Sequence, residues 1–134
     1  MINDNFKIIK ELYQSPRTEV YKAVKKPDNL PIILKSRDNI ISSELNTVLE
    51  YEYNLLKEIE GDYFVQPLFL EKTNKKTAII FFDDNMESLD KRIPSKGFDL
   101  LQFLKLSIEI TKAIEHIHEM GIIHKDINPT NIII

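Results

Sequence analysis

Short apolar runs, broken by turn residues, fill the first third of the chain. Residues 6–13, FKIIKELY, and 19–25, EVYKAVK, have strand composition with partial alternation, and Ser15-Pro16-Arg17 between them reads as a turn. Residues 31–35, PIILK, predict a third strand after the turn Lys26-Pro27-Asp28-Asn29. From 43 to 60 the apolar spacing changes to three and four, which predicts a helix that Ser42 or Ser43 caps and Gly61 ends. FVQPLFLEK and KTAIIFF predict a hairpin around Thr73-Asn74-Lys75-Lys76. Residues 83–97 are polar and irregular, with a short helical piece near Leu89. The longest helix is predicted over 98–120 on the stripe Phe103, Leu106, Ile110, Ala113, Ile114, Ile117 and Met120, with Gly121 as its cap. A short strand, the polar loop HKDINPTN at 124–131 and a last strand, Ile132-Ile133-Ile134, follow as a small hairpin. This order predicts an α+β chain with an antiparallel sheet, divided by the polar connector 83–97 into subdomains 1–82 and 98–134.

Composition narrows the partners. The 134 residues suffice for one ordinary domain or part of a larger one, and 43% apolar content supplies a core. Lys and Arg total 18 against 21 Asp and Glu, a net charge of −3, so no basic excess calls for nucleic acid. The absence of cysteine excludes a disulfide framework, a Cys-based metal site and a Cys nucleophile, and it fits a reducing, cytoplasmic compartment. The N-terminal MINDNFKIIK is too polar for a signal peptide, and the longest apolar run, Ala78 to Phe82, is too short for a membrane span.

Two ionisable residues stand in odd places. The first helix carries the stripe Leu45, Leu49, Leu56 and Ile59, and Glu52 fills its missing step. A carboxylate there either reaches solvent at the stripe's edge or needs a partner. Lys35, at the end of Ile32-Ile33-Leu34, is the candidate; it is either solvated or paired with Glu52 across a sheet–helix interface, which would aim an ammonium at an anion.

In the polar loop, Asp126 and Asn131 lie five apart around Pro129, which restrains the backbone and biases Asn128 toward an extended conformation. Such a carboxylate can take a proton from a hydroxyl, and the amide oxygen can serve a hard cation such as Mg²⁺. The bland alternative is a turn whose polar side chains satisfy only their own backbone. His124 reads as a structural brace, because no second ligand stands at metal spacing on its strand; His116 and His118 point to different helix faces.

Together these residues resemble the first half of the eukaryotic-type protein kinase fold: a five-stranded antiparallel sheet with one helix, then the start of a helical lobe. HKDINPTN matches the catalytic-loop pattern H-R-D-L-x-x-x-N at His124, Asp126 and Asn131, with Lys125 for the usual Arg. IILK resembles the V-A-I-K strand, and Glu52 takes the place of the helix glutamate. AIIFFDDNMESL resembles the inter-lobe hinge. The resemblance implies an ATP-dependent Ser/Thr protein kinase domain of signal transduction, using ATP and Mg²⁺ on protein substrates bearing a Ser or Thr hydroxyl. Lys35 paired with Glu52 would position the α/β-phosphates, Asp126 would orient or deprotonate the hydroxyl, and Asn131 would hold Mg²⁺. Phe81 would be the gatekeeper, Phe82 to Asp84 would face the adenine, and Val20 would pack on it. The loop is most similar to bacterial-type Ser/Thr kinase domains, which often precede fused signalling domains.

Several departures stand beside the resemblance. Tyr13, Ser15 and Thr18 occupy the positions of the three phosphate-loop glycines, and Pro16 removes an amide donor, so weaker nucleotide binding is expected. Asn128 replaces the lysine common two residues after the catalytic Asp, which puts the rate in doubt. No Asp-Phe-Gly follows, so the chain reads as a kinase domain truncated after its catalytic loop and inactive alone. The last strand is an apolar edge that can promote self-association. Two alternatives remain: a pseudokinase or protein-binding module, and a small-molecule phosphotransferase of related fold.

Overall fold

The computed structural model describes residues 4–39 and 43–134, without the side chains of 43–47. The elements run β1 (Phe6–Gln14), β2 (Glu19–Lys25), β3 (Leu30–Asp38), α1 (Ser43–Glu58), β4 (Pro67–Lys72), β5 (Lys76–Phe82), α2 (Leu89–Arg92), α3 (Leu100–Glu119) and a 3₁₀ turn at Pro129–Asn131. They divide into two units, Met1–Asp84 and Asn85–Ile134. The expected Ser42 or Ser43 cap and the Leu45 step of the stripe lie outside the described residues and side chains.

In the first unit the strands form one antiparallel sheet in the order β1-β2-β3-β5-β4. Strand alternation sorts β3: Ile32, Leu34 and Ser36 are buried on one face, while Ile33, Lys35 and Arg37 are half-buried on the other. The first face gathers Phe6, Ala23, Ile32, Leu34, Ala78 and Ile80 into a core. On the second face α1 lies against β3, β4 and β5. Four successive β5 residues, Thr77 to Ile80, are buried, so this strand is covered on both faces.

The core face ends in a charged cluster. Lys76 pairs with Glu19 and, at 3.4 Å, with Asp38, while buried Ser36 donates to Glu19 Oε2 at 3.3 Å. Burial alone would lower the pKa of the Lys76 ammonium, but the hydrogen bond and charge of Glu19, with Asp38 adding, outweigh it and raise the group above its ordinary 10.5. Burial, with Glu19 beside it, raises the Tyr21 phenol above its ordinary 10.0. Both groups hold protons more tightly folded than unfolded. Their stabilisation is therefore complete below their ordinary values and is lost as pH climbs through the folded ones. The urea midpoint is expected to fall between about pH 9 and about pH 11, with a shallower fall in Glu19→Gln. Equal slopes would show that this cluster does not couple to folding.

In the second unit, α3 starts with a capping box: Asp99 Oδ1 accepts from the Gln102 N–H at 2.8 Å, and Gln102 Oε1 accepts from the Asp99 N–H at 3.3 Å. It ends in a Schellman turn, in which the Ile122 N–H donates to Ile117 O and the Gly121 N–H to His118 O, both at 2.9 Å. Gly121 takes φ +74° there, a conformation that any side chain strains. Of the expected stripe, Ile117 is buried, Leu106, Ile110, Ala113 and Ile114 are half-buried, and Phe103 and Met120 at the two ends are exposed. No helix among the described residues is long and apolar enough to cross a membrane.

The hairpin expected around the polar loop does not form. The Schellman turn consumes the Ile122 N–H, and residues 122–123 form no strand. Residues 132–134 pair with 87–89: Ile132 O accepts from the Leu89 N–H, Glu87 and Ile134 exchange two bonds, and Ile133 bridges Ser88. The segment expected to be an unpaired apolar edge is thus tied along one side to the start of α2.

Candidate functional site

In the first unit, β3 and α1 bring together one group of candidate residues. The register sets Lys35 opposite Val20 on β2 and Ile79 on β5, on the face that α1 covers. Glu52 reaches in from α1, and its Oε1 accepts from Lys35 Nζ at 2.6 Å. The two side chains are each 30% exposed, so the contact stabilises the fold only modestly. Its consequence is orientation: a lysine with three donors is held by one carboxylate, with its other N–H groups directed elsewhere.

The loop Ser15–Thr18 closes on itself. The Ser15 N–H donates to Thr18 O at 2.9 Å, and Ser15 Oγ accepts from the N–H groups of Arg17 at 3.3 Å and Thr18 at 3.0 Å. Pro16 has no N–H. Each amide donor of this turn is thus engaged within it, which leaves none to cradle an anion. Thr18 Oγ1 also accepts from Arg37 Nε at 3.0 Å, fastening the loop's end to β3. Tyr13 stands opposite Val20 with an exposed ring.

At the end of β5, Phe81 lies opposite Ile33 and shares the face of Lys35 and Val20. Phe82 lies opposite Ile32, on the other face, and is 48% exposed. Asp83 is buried, 5% exposed, with its Oδ2 2.8 Å from Lys22 Nζ, and its N–H donates to Pro31 O. Nothing in the sequence pattern signals that pair, which joins residues far apart along the chain. Asp84 is exposed.

In the second unit, the polar loop holds a separate group of candidate residues. Lys125 adopts φ +66°, a left-handed conformation uncommon for a side-chain-bearing residue, and so turns the chain sharply before Asp126. His124 Nδ1 accepts from the Asp126 N–H at 3.3 Å, the bracing role expected of it. Asn131 Nδ2 donates to Asp126 Oδ2 and to Asp126 O, each at 2.9 Å. Asn128 Nδ2 donates to Asp126 Oδ1 at 3.0 Å and to Asp126 O at 3.2 Å. Both carboxylate oxygens are thus oriented by amides of the same loop. Asn131 turns its nitrogen toward Asp126 and keeps its carbonyl oxygen to offer a hard cation, so the donor chemistry fits Mg²⁺. Among the described residues no group of three or more His, Cys, Asp and Glu is placed to hold a metal.

A lysine fixed by a helix glutamate and an Asp–Asn loop are the parts that the sequence resemblance leads one to look for. The sequence profile of the protein kinase domain matches residues 6–134. The chain belongs to the protein kinase domain family. Its kinase relatives include a probable serine/threonine-protein kinase of Dictyostelium discoideum, 32% identical over 98% of this chain and 19% of that protein. A second probable serine/threonine-protein kinase of the same organism is 27% identical, over 96% of this chain and 27% of the relative. A serine/threonine-protein kinase of Arabidopsis thaliana is 24% identical, over 97% and 28% respectively. The chain therefore spans less than a third of the length of these kinase relatives.

Proposed function

We propose that the chain contributes the nucleotide-side and catalytic-loop residues of an ATP-dependent protein kinase acting on Ser and Thr hydroxyls. The observation that carries this reading is the Lys35–Glu52 ion pair at 2.6 Å, which gives a purpose to a carboxylate on an otherwise apolar helix stripe. Mg-ATP, when bound, supplies the phosphoryl group and the cation that offsets its charge. Lys35 presents an ammonium to the phosphates in an orientation that Glu52 fixes. Asp126 orients the acceptor hydroxyl and takes its proton, and Asn131 offers its amide oxygen to the cation. The relatives named as serine/threonine-protein kinases support the acceptor class. A cytoplasmic location belongs to the same reading, since a cysteine-free chain suits a reducing compartment.

The pair is tested by a double-mutant cycle on the full-length protein. Glu52→Gln is expected to lower kcat about ten-fold, because Lys35 is no longer held. Adding Glu52→Gln to Lys35→Met should cause little further loss, because the glutamate acts through the lysine. Additive losses would show that the two residues work separately, against the proposed role.

A second reading, a binding module with little chemistry, is favoured by one observation. The turn at Ser15–Thr18 engages its own amides, where a phosphate grip needs them open. Mg-ATP affinity separates the readings. The kinase reading expects weak but Lys35-dependent binding, and the binding-module reading expects none.

A further inference from the structure

The residue two after Asp126 is where protein kinases acting on Ser and Thr commonly place a lysine, and here it is Asn128. Its side chain does two separable things. The carbonyl oxygen Oδ1 accepts from the Thr130 N–H at 3.0 Å and from the Thr130 hydroxyl, which caps the 3₁₀ turn that Pro129 opens. The amide nitrogen Nδ2 donates to Asp126 Oδ1 at 3.0 Å and to Asp126 O at 3.2 Å. Capping alone would need only the oxygen, a task that serine or aspartate performs equally well. The nitrogen reaches the carboxylate that the proposed reaction uses.

Asn131 holds the opposite oxygen, Oδ2, so Asp126 is gripped from both sides. With one donor removed, the carboxylate keeps a single side-chain tether and can pivot about it. Asp126 is exposed, so packing within its own unit does little to oppose that rotation. Asp126 already follows a left-handed residue, so its backbone position is set by the loop itself. What remains to be fixed is the direction of the carboxylate, and Asn128 fixes it from one side.

We propose that Asn128 is a positioning residue for phosphoryl transfer. It aims Asp126 by a neutral hydrogen bond at the position where the family usually carries a cation. This rests on the kinase reading above. It deepens that reading by giving the departure at this position a function, so that the missing lysine is not simply a lost charge.

Two substitutions separate aiming from capping. Asn128→Asp is nearly isosteric and retains a capping oxygen, but it has no N–H to give and sets a second carboxylate beside Asp126. Asn128→Ser also retains a capping oxygen and cannot reach Asp126. The measurement is steady-state transfer from Mg-ATP to a Ser/Thr peptide library by the full-length protein, with the thermal midpoint followed in parallel. Both variants are expected to lose about ten- to a hundred-fold in kcat, with KM for ATP within about two-fold and the thermal midpoint unchanged. A purely structural role predicts that both caps restore wild-type kcat. Wild-type kcat in the two variants would therefore overturn the proposal alone, as would a change confined to KM. A folded wild type with no transfer to any peptide would overturn the kinase reading and the proposal together.

Discussion

Asp126→Asn in the full-length protein is expected to lower phosphoryl transfer by about 10³-fold while leaving the fold intact. The exchange retains the shape of the side chain and removes its charge. The carboxylate accepts from Asn128 at Oδ1 and from Asn131 at Oδ2. An amide can satisfy only one of those donors and must turn its own N–H groups toward the other. It therefore loses both the ability to take a proton and the two-sided aim. General base catalysis contributes about 10² to 10⁴ in rate, and misorientation adds to its loss. The loop is exposed, so circular dichroism and the thermal midpoint should barely change. Transfer within about ten-fold of wild type would remove Asp126 from the proposed role.

The largest stability effect is expected at Leu34. It sits 1% exposed at the centre of β3, on the face shared with Ala23, Ile32, Ala78 and Ile80. β2 and β5 flank it, with Tyr21 and Ile80 as its partners in register. Leu34→Ala deletes side-chain volume that neither neighbouring strand can move to fill. Such truncations lower stability by about 2–5 kcal/mol, a large share of the roughly 5–15 kcal/mol that folds a domain. Ile9→Ala on β1, where the side chain is exposed, serves as the control and should change stability by less than about 0.5 kcal/mol. Urea denaturation followed by circular dichroism measures both. Equal losses at the two positions would mean that the core does not lie on the face assigned to it.

Local signals carry most of the fold. Alternation marks β3 because it buries one face fully and the other only partly, whereas the continuous apolar run of β5 marks a strand covered on both faces. The gap in the α1 stripe at Glu52 points to Lys35 because a carboxylate in that place needs a partner, and the two do meet. The same period-two logic, applied to the end of β5, separates Phe81 from Phe82, which lie on opposite faces.

Partner choice is less legible. Ile122 and Ile132 to Ile134 have strand composition, but pairing depends on which N–H groups are free and which segments lie near. A Schellman turn takes the first, and residues 87–89 pair with the second. The Lys22–Asp83 pair joins the middle of β2 to the residue just after β5 and leaves no local pattern. Asn128 is readable in part: an Asn directly before Pro is a capping signal, whereas comparison with the family pattern shows only the absence of a lysine. Against the same pattern Ser15 is merely a missing glycine, yet its hydroxyl is what closes the loop.

The most direct test of the account follows labelled γ-phosphate from Mg-ATP in the full-length protein and identifies the phosphorylated amino acid in the acceptor. The account predicts phosphoserine or phosphothreonine with the wild type and essentially none with Asp126→Asn. Equal labelling by the two proteins, or no transfer by a folded wild type that carries the Lys35–Glu52 pair, would contradict it.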